Sequence, residues 1–181
     1  MQDAAVYAPK RQEDASTLNT LFLHADDLND LLGHRLFELA RIHGGDFSPA
    51  ETKKTNRALQ KVFRSYGGDW RKLCDLCRAS IMFTDVDQMA ACLRAIGDYP
   101  EIQVIKAADE KMRLRDDYDS KQSGGYRDVQ LCVRLDNAHT RAKGLHTHLA
   151  EVQLHLKEMM DIKKGGGGHK NYIRARNLKG S

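Results

Sequence analysis

Two late stretches of this chain alternate strictly between two sets of side chains, and that alternation constrains the fold more than any other feature. In the first, Val129, Leu131, Val133 and Leu135 fall on one face, with Asp128, Gln130, Cys132 and Arg134 opposite. In the second, Ala150, Val152, Leu154 and Leu156 oppose Leu149, Glu151, Gln153 and His155. A period of two belongs to β-strands, whose successive side chains leave opposite faces. Residues 136–147 make a linker short enough to join antiparallel neighbours. Each strand therefore offers one face to a core, and its second face meets solvent or a site.

The N-terminal half has a helical period instead. Leu18, Leu21, Phe22, Ala25, Leu28, Leu32, Leu36, Leu39 and Ile42 form one apolar stripe, which predicts a long helix ended by Gly44-Gly45. A second helix is expected from Ser48-Pro49-Ala50-Glu51, with Ser48 capping free amides, Pro49 in the first turn and Glu51 closing a capping box. It would carry Lys53, Lys54, Arg57, Lys61 and Arg64 and stop at Gly67-Gly68. After a turn over 69–73, Arg78 to Phe83 reads as the first strand. Asp85 is placed to cap a helix running to about Ile96, and 101–106 reads as a second strand. Residues 107–125 are charged and polar and read as a mobile loop. Residues 1–15 read as a loose polar lead, and the region after 156 as a short helix, a Gly165–Gly168 hinge and a basic tail from about 165. The order predicts one α+β domain over 16–181, a small mixed β-sheet flanked by helices.

A chain of 181 residues is long enough to bury a core without disulfides or metals. The excess of Lys and Arg over Asp and Glu, 29 − 25 = +4, suits an anionic small molecule at least as well as a long nucleic acid. No apolar run approaches a membrane span, and the first residues lack the apolar segment of a signal peptide. With four scattered cysteines, this describes a cytoplasmic protein with reduced thiols. There is no G-x-x-x-x-G-K and no G-x-G-x-x-G, which removes the P-loop and Rossmann readings.

The polar faces of the late strands bring Glu151, Gln153 and His155 beside Asp128 and Gln130. By pattern alone, a solvated sheet face explains them equally well. Two companions favour a site: Gly124-Gly125-Tyr126-Arg127 precedes one strand, and Asp75 precedes another. Gly125-Tyr126-Arg127 before an alternating strand, then Glu151-Val152-Gln153, then the acid-led Asp75-Leu76-Cys77-Arg78-Ala79-Ser80-Ile81 upstream, together resemble the synthetase domain of the RelA/SpoT family, the alarmone ((p)ppGpp) synthetases. The similarity runs from about Lys53 to His169.

That resemblance implies a nucleotidyltransferase-like fold and transfer of pyrophosphate from ATP to the 3′-hydroxyl of a guanine nucleotide. It makes Asp75 the principal ligand for magnesium, with Glu151 assisting the metal or preparing the hydroxyl. Tyr126 would stack on the guanine. Lys54, Arg57 and Lys61, with Arg78, Lys106, Lys111 and Arg113, would hold phosphates, and the loop carrying Lys111 and Arg113 would form a lid. Gln153 and His155 complete the nucleotide-binding set. Such transfer depends on charge neutralisation more than on covalent help, so carboxylates for Mg2+ and cations for phosphate are the residue types required.

Bland alternatives stand beside each role. The basic residues also fit a solvated helix face, Tyr126 a packed strand end, and Asp75 a turn cap. Departures from the family pattern fall at Asp128, Gln130 and His155, and at Ser80, where an arginine is usual and Arg78 stands nearby. Three classes follow: a pyrophosphokinase, a transferase acting on an RNA acceptor, and a nucleotide-binding module without turnover, any of them as a possible homo-oligomer. Cys74-x-x-Cys77 with His146, His148 and His155 makes a metal site only if the fold joins them. His24-Ala25-Asp26 is an isolated pair, without the helical domain that the family's hydrolase activity needs.

Overall fold

Five strands, β1 (Asp46–Pro49), β2 (Arg78–Phe83), β3 (Ile102–Val104), β4 (Val129–Leu135) and β5 (Ala150–Leu156), form one sheet in the order β1-β2-β5-β4-β3. The structure, a computed structural model, describes residues 11–12, 17–49, 51–105, 113–123 and 125–165. β2 and β5 run parallel, and every other neighbouring pair is antiparallel, so the sheet is mixed. The two alternating segments are adjacent antiparallel strands, with Leu131 across from Val152 and Cys132 across from Glu151. Their linker holds a short helix, α4 (Ala138–Ala142), which a capping box between Asn137 and Thr140 starts.

The long helix α1 (Leu18–Ile42) has the expected bounds. Thr17 caps it by accepting the Thr20 amide at 3.1 Å, and Gly44 leaves it with φ +72°. Leu21, Leu28, Leu32 and Leu36 are fully buried, each contributing roughly 1.5–3 kcal/mol of apolar transfer. Ile42, the last member of the stripe, is instead exposed, because the helix ends beyond the edge of the core. α3 (Val86–Asp98) is capped by Asp85, which accepts the Gln88 amide at 2.9 Å. α1 packs on β1 and β2, and α3 on β2, β3 and β5. Ala79, Ile81, Phe83, Val152 and Leu154 fill the layer between helices and sheet.

The expected start of the second helix is corrected. Residues 46–49 form the edge strand β1, pairing with β2 from Asp46 across Met82 to Pro49 across Ala79, and α2 starts later (Thr55–Ser65). Gly45 is the cause. A Cβ there would lie 2.6 Å from Ile81 Cγ2 and from Phe83 Cε1, so only glycine lets the chain approach β2 this closely. Phe47 then packs edge-on against Phe37 of α1, ring centres 6.1 Å apart. Pro49 has no amide to donate, which an edge strand tolerates. Ser48 is thus a strand residue, and Lys54 stands at the N-cap of α2 without a side-chain capping bond.

The loose lead is corrected at Gln12, which is buried and hydrogen-bonded to Leu73 and Leu149. Beyond β5, α5 (Lys157–Gly165) is the expected short helix. The rest of the glycine hinge and the basic tail lie outside the described residues, as do residues 107–112 and 124 of the expected loop. Among the described residues, no helix is long and apolar enough to cross a membrane.

Candidate functional site

With one sheet face under α1 and α3, the opposite face carries the polar alternates. Across β2, β5 and β4 the register sets Arg78 beside Glu151, Ser80 beside Gln153, and Met82 beside His155, while Gln130 and Cys132 flank Gln153 and Glu151. Glu151 Oε1 accepts the Gln153 side-chain amide at 2.5 Å, which orients its carboxylate along the strand.

Asp75 lies in residues 73–77, which single bonds thread past the sheet. The Leu76 carbonyl accepts the Lys53 amide at 3.3 Å, and the Cys77 carbonyl accepts the Glu151 amide at 3.0 Å. The neighbours Leu73 and Leu76 are fully buried, so Asp75 has little freedom. Its Oδ2 accepts hydrogen bonds from both Lys53 and Lys61, the latter at 2.7 Å. Burial by itself would raise the Asp75 pKa, but Lys61 and then Lys53 outweigh it and hold the carboxyl below its usual range. The two lysines move in opposite directions. Burial pulls Lys53 down despite Asp75, whereas at Lys61 the burial penalty is overcome by Asp75 and Tyr66, and its pKa rises. Lys53, which the sequence placed on the second helix, belongs to this cluster from the loop before α2.

Beside this cluster is an open pocket of about 350 Å3, lined by Glu51, Thr52, Lys53, Lys54, Arg57 and Arg78. Its wall is held to α1, since Thr52 donates to Asp26 at 2.5 Å and accepts from Asn29 at 2.6 Å. Arg78 Nη2 donates to the Glu51 carbonyl at 3.2 Å, and its buried Nε has no partner among the described residues. Neither Lys54 nor Arg57 has an ion-pair partner among the described residues. The lining sets four cations against one carboxylate, a balance suited to phosphate.

Magnesium fits one feature of this chain. Asp75 Oδ1 is buried and has no hydrogen-bond partner among the described residues, a hard oxygen left open beside the cationic pocket. Glu151 offers a second carboxylate two residues after Leu149. Among the described residues no group of three or more His, Cys, Asp and Glu comes together. An ion held here would draw its remaining ligands from phosphate and water, as Mg2+ commonly does.

The other end of the polar face is tightly closed. The Tyr126 hydroxyl and His155 Nδ1 share a hydrogen bond of 2.5 Å, and both residues are buried. Burial raises the Tyr126 pKa, with the Asp128 charge adding to it. Arg113 pairs with Asp128 at 2.5 Å, and the two side chains are 9% and 1% exposed. Gln130 donates to the second Asp128 oxygen at 3.2 Å. Asp128 is therefore neutralised from within the segment expected to be a lid, and Arg113 turns inward. Arg127 serves the same wall, donating to the carbonyls of Arg113, Arg115 and Tyr118 at 3.1, 2.9 and 3.1 Å. In this arrangement the Tyr126 ring is directed into the protein, so stacking on a base requires breaking its bond to His155.

Of the expected site residues, the structure brings Lys54, Arg57 and Arg78 to one pocket, with Lys61 and Asp75 joined beside it. Glu151, Gln153 and His155 share the adjoining sheet face, and Tyr126 and Arg113 close its far end. Lys106 and Lys111 lie outside the described residues. The four cysteines are free thiols, and Cys132 beside Cys74, together with burial, pushes the Cys74 thiol pKa up. His148 packs on His24 and His155 on Tyr126, and among the described residues no group of three or more histidines and cysteines comes together.

No family model matches this chain, and no curated protein sequence matches it. Solved structures do. Small alarmone synthetase 2 from Bacillus subtilis superposes with a TM-score of 0.63 at 15% identity, covering 88% of this chain and 81% of that one. Small alarmone synthetase 1 from Bacillus subtilis, bound to its product pppGpp, gives 0.62 at 14% identity, covering 88% of each chain. A GTP pyrophosphokinase family protein from Streptococcus pneumoniae gives 0.58 at 16% identity, covering 88% and 87%. The fold of this chain is that of the small alarmone synthetases.

Proposed function

We propose that this chain transfers pyrophosphate from ATP to the 3′-hydroxyl of a guanine nucleotide. The observation that carries the reading is the Asp75 carboxylate, one oxygen bound by Lys53 and Lys61 and the other without a partner among the described residues, beside a pocket walled by Lys54, Arg57 and Arg78. Its support from similarity is the shared fold with a protein whose product is pppGpp.

In this reading Lys53, Lys54, Arg57 and Arg78 bind the donor triphosphate and offset its charge. Lys61 holds Asp75 in place. Glu151 accepts the proton of the attacking hydroxyl. The new bond joins the acceptor oxygen to the β-phosphorus, the bond from the α-phosphate oxygen to the β-phosphorus breaks, and AMP leaves with that oxygen. Mg2+ held by Asp75 and Glu151 would supply electrostatic stabilisation of the transferring group.

A second reading, a nucleotide-binding module without turnover, is favoured by one observation. Tyr126 and His155 close on each other where an acceptor base would stack. Incubating the protein with labelled ATP, Mg2+ and GDP or GTP separates the two. The transferase reading requires AMP and a labelled guanine product; ATP binding without AMP release supports the module.

A further inference from the structure

Gln12 is 3% exposed and lies 61 and 137 residues from the two residues that its side chain bonds, Leu73 and Leu149. Its main-chain amide donates to the Arg71 carbonyl at 2.8 Å. Its side-chain amide donates to the Leu73 carbonyl and to the Leu149 carbonyl, each at 3.0 Å. Its side-chain oxygen accepts the Leu149 amide at 2.8 Å. A primary carboxamide carries the same donor and acceptor as a peptide unit, with one further N–H. Gln12 therefore pairs with Leu149 as a neighbouring strand would, and uses the spare N–H on Leu73.

The two residues it joins stand at equivalent places in the site. Leu73 precedes Asp75 by two residues, and Leu149 precedes Glu151 by two. The segments are joined again further along, where the Glu151 amide donates to the Cys77 carbonyl at 3.0 Å. Asp75 thus lies between two cross-links, one through Gln12 and one direct. Without Gln12 the link between the Leu73 end of its segment and Leu149, just before β5, is lost, and three buried backbone groups lose the bonds that Gln12 makes to them. Arg11, paired with Asp69 at 3.3 Å, holds Gln12 in place from the surface.

We propose that Gln12 is a positioning residue, whose carboxamide clamps the Leu73 and Leu149 main chains and thereby sets Asp75 against Glu151 for a shared divalent ion. The proposal rests on the transfer reading for its purpose, but its geometry can be tested without turnover. Partners that orient metal ligands commonly change metal affinity by about 10- to 100-fold when lost.

The test uses the full chain and the α,β-methylene analogue of ATP, whose carbon bridge replaces the oxygen that transfer would cleave. Analogue binding is measured without metal by titration calorimetry, and Mn2+ binding to the protein–analogue complex by electron paramagnetic resonance. Gln12→Ala should bind the metal-free analogue within about twofold of wild type, yet bind Mn2+ about tenfold more weakly. Acetamide, the fragment the substitution removes, should restore much of the Mn2+ affinity at tens of millimolar. If the alanine variant does not fold, Gln12→Met, which refills the space without the hydrogen bonds, carries the same expectation. Unchanged Mn2+ affinity in a folded variant overturns the proposal, as does an equal loss of metal-free analogue binding or a wild type that takes up no Mn2+. If wild type releases no AMP with any acceptor while the Mn2+ difference holds, the transfer reading falls and the role of Gln12 stands.

Discussion

Arg78 on β2 and Glu151 on β5 are direct partners in the parallel register, and through them the phosphate pocket meets the carboxylate face. The guanidinium reaches the pocket wall at Glu51, while Glu151 is held along β5 by Gln153. A donor phosphate in the pocket and an acceptor hydroxyl at Glu151 would then be neighbours because two strands are.

Glu151→Gln keeps the shape of this pair and removes the charge. Turnover should fall by at least about 100-fold if Glu151 takes the proton. Thermal stability should change by less than about 1 kcal/mol, since the residue is half-buried and its bond to Gln153 has an amide substitute. Single-turnover kinetics and a melting curve check both. Wild-type activity in the variant removes Glu151 from its assigned role.

Arg57→Ala tests the pocket separately from the chemistry. Loss of one of its cations should weaken ATP binding about tenfold, with a stability change within about 0.5 kcal/mol for an exposed helix position. Calorimetric titration with ATP reads it. Unchanged affinity returns Lys54 and Arg57 to a solvated face.

Asp75 is placed to matter for stability as well. Asp75→Asn leaves Lys53 and Lys61, with side chains 15% and 32% exposed, facing each other without a counter-charge. We expect a loss of about 2–3 kcal/mol at neutral pH. The Asp75 pKa is depressed in the folded state, so its contribution is present above the unfolded value near 3.8 and disappears as pH falls through the folded value. The variant should therefore lie closest to wild type in acid. Urea unfolding across that range checks the sign.

His148 gives a second pH dependence with a different residue behind it. Burial, with His24 nearby, lowers its pKa from 6.5 to about 3, and neither ring nitrogen has a partner among the described residues. Below the unfolded value the unfolded chain binds a proton that the folded one refuses. Stability should fall by about 2 kcal/mol between about pH 7 and about pH 5 through this residue. His148→Phe should flatten that slope, measured by urea unfolding at each pH. An unchanged slope shows that another group carries it.

The sequence made α1, α3, β2, β4 and β5 legible because each has a full period of apolar positions or a capping residue. β1 was hidden. Ser48-Pro49 followed by Glu51 mimics a helix start, and four residues on an edge strand give too little alternation to compete. Its real determinant is the contact of Gly45 with Ile81 and Phe83, which local pattern does not contain. The same limit applies to the site. Asp75, Glu151, Arg57 and Arg78 stood out through motif order, but Gln12 sits in a polar lead with nothing to distinguish it. That Asp128 is neutralised by Arg113 depends on how residues 113–118 fold back, where Arg127 bonds the carbonyls of Arg113 and Arg115.

The most direct measurement of the central claim is AMP release from labelled ATP, with Mg2+ and with GDP, GTP, GMP or tRNA offered in turn. We expect AMP to appear only when metal and an acceptor are both present, with a guanine nucleotide as the best acceptor, and to disappear in Asp75→Asn. No AMP with any acceptor, from protein that binds ATP, would contradict the claim and leave a nucleotide-binding module.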